Sequence, residues 1–120
     1  MSNDLSLSEL KELIRKFCDE RDWGRFHNPK DLALALNIEV SELLTHFRFK
    51  DNDEIDKYIK DFKNKKEAGY ELVDILYFVI RLADIMDLDL PNAFKEKFEI
   101  LKQKYPVEKF KGSNKKYTEL

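Results

Sequence analysis

Apolar positions along this chain fall at helical rather than alternating spacing. Ser6 with Glu9 makes a capping-box pattern, and Leu10, Leu13, Ile14 and Phe17 follow on one face of a first helix. WGRFHN, residues 23–28, interrupts the pattern. Asn28 then reads as an N-cap with Pro29 at the first helical position, opening a second helix that reaches about Phe49. KDND, residues 50–53, is a polar break. A short amphipathic helix follows, with Ile55, Tyr58, Ile59 and Phe62 on one side. A long central helix is expected from near Lys65 to about Met86, and a turn from Leu88 to Pro91. Phe94, Phe98 and Leu101 mark a last helix that ends before Pro106. Residues 106–120 have no periodicity and form a lysine-rich tail. No repeat, long linker or strand emerges. The expected fold is all-α: one domain over residues 1–120, an antiparallel helical bundle of four main helices plus a short one.

Charge narrows the function little. Charged residues make up 38% of the 120, but the net charge is only −2, so no nucleic-acid polymer or membrane surface is implied as partner. No apolar run approaches the ~18 residues of a membrane span, and no charged and then apolar opening suggests a signal peptide. The single cysteine, Cys18, has no partner for an internal disulfide and reads as a small core residue. A soluble, cytoplasmic helical protein is the expectation.

The chemistry begins with ELVDILYFVIRLADIM, residues 71–86, an apolar stretch that opens on two acids. At about 100° per residue, Glu71 falls between Phe78 and Leu82 on the apolar stripe, and Asp74 lies along its edge. The second helix repeats the arrangement, with Glu39 bordering Leu32, Leu36 and Leu43, and Glu42 beside Ala35 and His46. Each i, i+3 pair points one way, so packing the two helices face to face brings four carboxylates together. Buried like charges raise one another's pKa and are costly unpaired. Two resolutions are open. The acids pair with Arg81, Lys66 or Lys97 in a salt-bridge network, or they bind a hard cation such as Mg²⁺, which suits oxygen-only ligands. Without a Cys/His cluster, zinc does not fit.

EVSE at 39–42 followed by ELVD at 71–74 resembles the MazG-like nucleoside triphosphate pyrophosphohydrolases, and most closely their dCTP pyrophosphatase branch. ERDWGRFHNPKDLALAL at 20–36 is similar to that branch's segment before the first acidic pair, and KYPVEKFKGSNKKYTEL at 104–120 to its C-terminal tail. The resemblance implies an all-α homodimer or homotetramer that uses Mg²⁺ to split a nucleoside triphosphate, dCTP or a related pyrimidine nucleotide, into monophosphate and pyrophosphate. It implies Glu39, Glu42, Glu71 and Asp74 as metal ligands and catalytic residues. Trp23, Phe26 and His27 would line the nucleotide pocket with Phe49 and Phe78, and the tail lysines, including Lys111, Lys115 and Lys116, would close over the triphosphate. The branch has Trp where this chain has Phe49, Tyr where it has Phe78, Asn where it has Leu101, and a further acid where it has Thr45. Three of these positions read the base and sugar, so broader base tolerance is expected.

Plainer roles are open for several of these residues. Trp23 and Phe26 suit core anchors, and His27 suits support for the Asn28-Pro29 turn. His46 suits either a structural role or support of Glu42. Arg81, one turn after Phe78 and two after Asp74, suits steadying the acids or meeting phosphate. The alternative to an enzyme is a non-catalytic helical oligomer that binds nucleotide or a protein partner.

Overall fold

The computed structural model describes residues 3–119, and among these it is wholly helical. Six α-helices follow one another: α1 Leu7–Glu20, α2 Pro29–Thr45, α3 Asn52–Lys60, α4 Phe62–Ile85, α5 Leu90–Lys104 and α6 Val107–Phe110. Short 3-10 turns stand at Gly24–Phe26 and Tyr117–Glu119. No helix among the described residues is long and apolar enough to cross a membrane.

Side-chain caps set the starts of these helices. Ser6 and Glu9 form the expected capping box at α1, and Asp51 and Glu54 form a second at α3, each cap contributing ~1 kcal/mol. Asn28 accepts from the backbone of Asp31 at the start of α2, ahead of Pro29. Asp61 ends α3 and, through its side chain on the Asn64 N–H, also caps α4. The central helix therefore starts at Phe62 rather than near Lys65, because an aspartate in extended backbone serves two helices at once. At the other boundary α2 stops at Thr45, short of Phe49. Residues 46–49 form a turn that ends with Phe49 at φ 63°, a left-handed value that no helix continues through. The last main helix opens at Leu90, within the expected turn, because Asp89 caps it through the Asn92 N–H.

The chain resolves into two compact units, Met1–Asp87 and Leu88–Leu120. In the first, α4 is the organising element, packing most extensively on α2 and also on α1 and α3. Its interior is small: Cys18 from α1, Leu32 from α2, and Ala68, Ile80 and Ala83 from α4. Burying Leu32 and Ile80 contributes ~2 kcal/mol each. In the second unit, Tyr105 packs edge-on against Phe110 and Tyr117 at 4.8 and 5.7 Å between ring centroids. The tail thus carries local structure of its own, built on aromatic contacts that helical periodicity does not register.

Candidate active site

Glu39 stands seven residues beyond Leu32, two helical turns further along the side of α2 that is buried. On α4, Glu71 comes one turn after buried Ala68, and Asp74 one turn after Glu71. Packing α2 on α4 therefore draws three acids together. One carboxylate oxygen from each of Glu39, Glu71 and Asp74 lies within 4.8 Å of the other two, with the two glutamates half-buried and Asp74 exposed. Glu42, one turn past Glu39, lies outside that set and is exposed, but its charge still reaches Glu39.

The site's electrostatics are those of crowded anions. Burial raises the Glu39 carboxyl above its ordinary value, and the charge of Asp74, a hydrogen bond with Glu71, and the charges of Glu71 and Glu42 add to the rise. Relief by basic side chains does not occur. Among the described residues no lysine or arginine makes an ion pair with any of the four acids. Lys66 instead lies over the rings of Phe62 and Tyr70, and Arg81 bonds elsewhere. Neighbouring oxygens around one octahedral Mg²⁺ stand about 2.9–4.2 Å apart at its usual bond lengths. With its oxygens within 4.8 Å of one another, the cluster lies close to that spacing.

Beside the acids lies a cleft of about 410 Å³ lined by Phe17, Trp23, His27, Glu39, Asp74, Tyr77 and Phe78. Its aromatic wall is built edge to face. Phe17 meets Trp23 and Tyr77 at 5.5 and 6.2 Å between centroids, and Tyr77 meets Phe78 at 4.9 Å. The Tyr77 hydroxyl is engaged by Cys18 Sγ at 3.3 Å, and burial, with that contact, pushes its pKa upward. Trp23 and His27 come from the segment around the Gly24–Phe26 turn, with their rings 6.3 Å apart.

His27 is half-buried, and its Nδ1 accepts a hydrogen bond from Arg81 Nε at 2.9 Å. Burial, and then the Arg81 charge, hold its pKa below the ordinary value. Arg81 itself is only 4% exposed and also reaches Asp84, at 3.6 Å. Asp84 in turn accepts from Arg15 Nε at 3.0 Å. Arg81 is therefore committed to His27 and Asp84, and neither steadies the acids by ion pairing nor extends toward solvent.

Two expected aromatics, Phe26 and Phe49, are not among the residues that line the cleft. Phe26 is exposed under the guanidinium of Arg25. Phe49 is 93% exposed and is not part of the cleft wall. Lys111, Lys115 and Lys116 are exposed in the second unit, where the backbone N–H groups of Lys115 and Lys116 donate to Ser113 and Glu119. His46 is structural, with Nδ1 2.7 Å from the Tyr58 hydroxyl. Cys18 is fully buried, as expected of a small core residue.

Three residues at or behind the cleft, Phe17, Asp84 and Tyr77, are not singled out by the sequence pattern. Phe17 looks like an ordinary core position of α1, and Asp84 like a surface acid. Tyr77 could have been found, since it and Phe78 both follow Asp74 by one turn and flank the acidic face.

The family model described as MazG-like matches residues 34–120. dCTP pyrophosphatase 1 of Rattus norvegicus is 37% identical over 119 residues, covering 99% of this chain and 70% of that protein. dCTP pyrophosphatase 1 of Homo sapiens is 35% identical over the same span. The crystal structure of a pyrophosphatase from Archaeoglobus fulgidus superposes with a TM-score of 0.78 at 33% identity, covering 88% of this chain and 97% of that one.

Proposed function

The chain belongs to the MazG-like family and is a nucleoside triphosphate pyrophosphohydrolase, and from that premise we propose that it is Mg²⁺-dependent and acts on dCTP or a related pyrimidine nucleotide. The observation that carries the metal is the clustering of Glu39, Glu71 and Asp74 with no basic side chain among the described residues to pair them. Unpaired buried carboxylates are costly, and a divalent cation is the partner their oxygens suit. When bound, Mg²⁺ supplies charge neutralisation at the phosphates and makes a coordinated water more acidic. Glu39, Glu71 and Asp74 would hold it, with Glu42 at the rim as fourth ligand or as acceptor from its water shell.

The protein's own residues do the rest. Trp23, Phe17 and Phe78 offer aromatic faces for the base, since every base has a face to stack. The acids would hold the cation that neutralises the triphosphate, while the aromatic faces of the same cleft would take the base. The products are the monophosphate and pyrophosphate. Cleansing of the cytoplasmic nucleotide pool is the role this chemistry suits.

The working unit is proposed to be a homodimer or homotetramer. Val73 and Leu76 stand seven residues before Ile80 and Ala83 on the same sides of α4. Ile80 and Ala83 are buried, while Val73 and Leu76 are 59% and 43% exposed. An apolar stripe covered along half its length calls for a second copy over the other half, and two-fold closure is the common solution. Phe49 points the same way: fully exposed in one chain, it could stack on a base only in a neighbour's cleft.

Release of pyrophosphate from the common nucleoside triphosphates, with and without Mg²⁺, tests this. Equal amounts of monophosphate and pyrophosphate are expected, strictly with divalent cation, and fastest from a pyrimidine deoxynucleotide. Because Phe78 lacks a polar atom and Tyr77 spends its hydroxyl on Cys18, discrimination among bases should be modest. A preference above ~10³-fold for one base would require hydrogen-bonded readout from other residues. Undiminished turnover in chelator would overturn the metal assignment.

A further inference from the structure

We propose that Arg81 is a positioning residue that locks His27 as its Nε2–H tautomer, so that at His27 the cleft offers the nucleotide a hydrogen-bond donor and not an acceptor. This rests on the cleft being the nucleotide site.

The argument starts from what each nitrogen can do. A guanidinium has only donors and does not deprotonate in proteins. Arg81 Nε approaches His27 Nδ1 at 2.9 Å, so Nδ1 must accept. An imidazole that accepts at Nδ1 is neutral and carries its proton on Nε2. The imidazolium, with a proton on each nitrogen, would set donor against donor. Arg81 is buried among neighbours that hold it in place. Asp84 binds it from the next turn of α4 at 3.6 Å, and Arg15 of α1 holds Asp84 through a bond from Nε at 3.0 Å. On its other side lies the 3-10 turn, where a Cβ built on Gly24 would stand 3.8 Å from Arg81 Nη2.

The far edge of the ring completes the picture. Among the described residues the His27 ring makes no other hydrogen bond, and no buried side-chain nitrogen or oxygen lacks a partner. Nε2 therefore reaches open space, and His27 lines the cleft together with Trp23, Glu39 and Asp74. The neighbouring rings of Phe17 and Phe78 present only carbon, and the Tyr77 hydroxyl is spent on Cys18. The Nε2–H thus meets an oxygen or ring-nitrogen acceptor of the bound nucleotide.

Two measurements on the full chain test this. Long-range ¹H–¹⁵N correlation of the His27 side chain in the wild-type protein should show a protonated Nε2 and a bare Nδ1. A protonated Nδ1 overturns the inference without any variant. In kinetics, Arg81→Met and His27→Phe should each raise KM about tenfold, the size of one lost hydrogen bond, with most of the loss in kcat/KM falling on KM. Arg81→Met should cost nothing further in the His27→Phe background. A full second tenfold loss there would make Arg81 merely structural and overturn its positioning role. Titration with a non-hydrolysable dCTP analogue separates the two levels. Shifts at Trp23 and Phe78 with His27 unmoved refute the donor and leave the cleft standing. No shift at any of the three removes the cleft, and the inference with it.

Discussion

Glu39 of α2 and Glu71 of α4 bring carboxylate oxygens within 4.8 Å of each other across a helix–helix contact, and among the described residues no lysine or arginine pairs with either. Burial first, and the surrounding acids second, raise the Glu39 pKa above its ordinary 4.5. The sign of the consequence follows from linkage. The folded chain holds this proton more tightly than the unfolded chain does. Its contribution to stability is therefore full below 4.5 and is lost as pH rises through the raised value. Divalent cations act oppositely, since they bind the deprotonated site. The gap in Tm between Mg²⁺ and chelator should widen as pH rises above 4.5, where the raised Glu39 carboxyl gives up its proton. A gap independent of pH would show that these acids do not bind the cation.

Removing one charge from the cluster should separate stability from activity. Glu71→Gln relieves like-charge repulsion at a half-buried position, so the metal-free protein should gain ~1 kcal/mol or stay unchanged. Mg²⁺-dependent turnover should fall by ~10³-fold or more, because a ligand within the cluster is gone. Glu42→Gln, at the rim, should cost only ~10–100-fold, as supporting groups around a metal do. Circular dichroism melts and pyrophosphate release measure both, and equal losses for the two variants would contradict the geometry.

How much of this was legible in the chain depends on how local each determinant is. Helix starts were readable at Ser6 and Asn28 because a cap and its N–H partner lie three residues apart. The acidic pairs were readable because a carboxylate on an apolar stripe conflicts with local burial. That α2 and α4 meet through those stripes follows from the same pattern, and the family resemblance carried by EVSE and ELVD agrees with the family match. What failed was local ambiguity or distant contact. Phe62 suits the apolar side of α3 as well as the first turn of α4, and only Asp61's dual capping decides. Arg81 meets His27 across 54 residues of sequence, a contact no periodicity encodes. The boundary at Asp87 between two compact units carries no linker composition to announce it.

The Arg15–Asp84–Arg81 chain gives a stability prediction with unequal ends. Asp84 is the anion between two cations, and its side chain is 12% exposed. Arg15 first, by hydrogen bonding, holds its pKa below the ordinary carboxylate value despite the opposing effect of burial. Asp84→Ala leaves buried Arg81 without its anion and should cost ~3 kcal/mol. Arg15→Ala removes a side chain that is 43% exposed and should cost clearly less, as a solvent-screened pair does. Urea melts of the two variants check the ratio. Equal costs would mean that Arg81 draws no support from Asp84.

Phe49 carries the sharpest conflict between fold and function. Its φ of 63° is a conformation that a residue with a Cβ adopts at a cost of ~1–2 kcal/mol, and at 93% exposure its ring recovers almost nothing by burial within the chain. The cation–π contact from Arg48, at 5.2 Å, is worth at most ~1 kcal/mol at an exposed site. A residue chosen for stability at this turn would be glycine or asparagine. Phe49→Gly should therefore leave the unassembled chain as stable or up to ~1 kcal/mol more so, the lost strain being partly offset by added freedom in the unfolded state. If the ring stacks on a base in a neighbouring copy's cleft, the same change should lower kcat/KM by about tenfold or more, the ~1–3 kcal/mol of one base–aromatic stack. Phe49→Trp should retain activity, since it keeps the aromatic face and enlarges it. Mixing Phe49→Gly subunits with Glu71→Gln subunits gives the decisive arm. Each homo-oligomer is impaired, but a mixed assembly contains clefts with intact acids facing an intact Phe49. Activity above the sum of the two parents is expected from such mixtures. Its absence, with subunit exchange verified by mass, would place the Phe49 ring outside the neighbour's site.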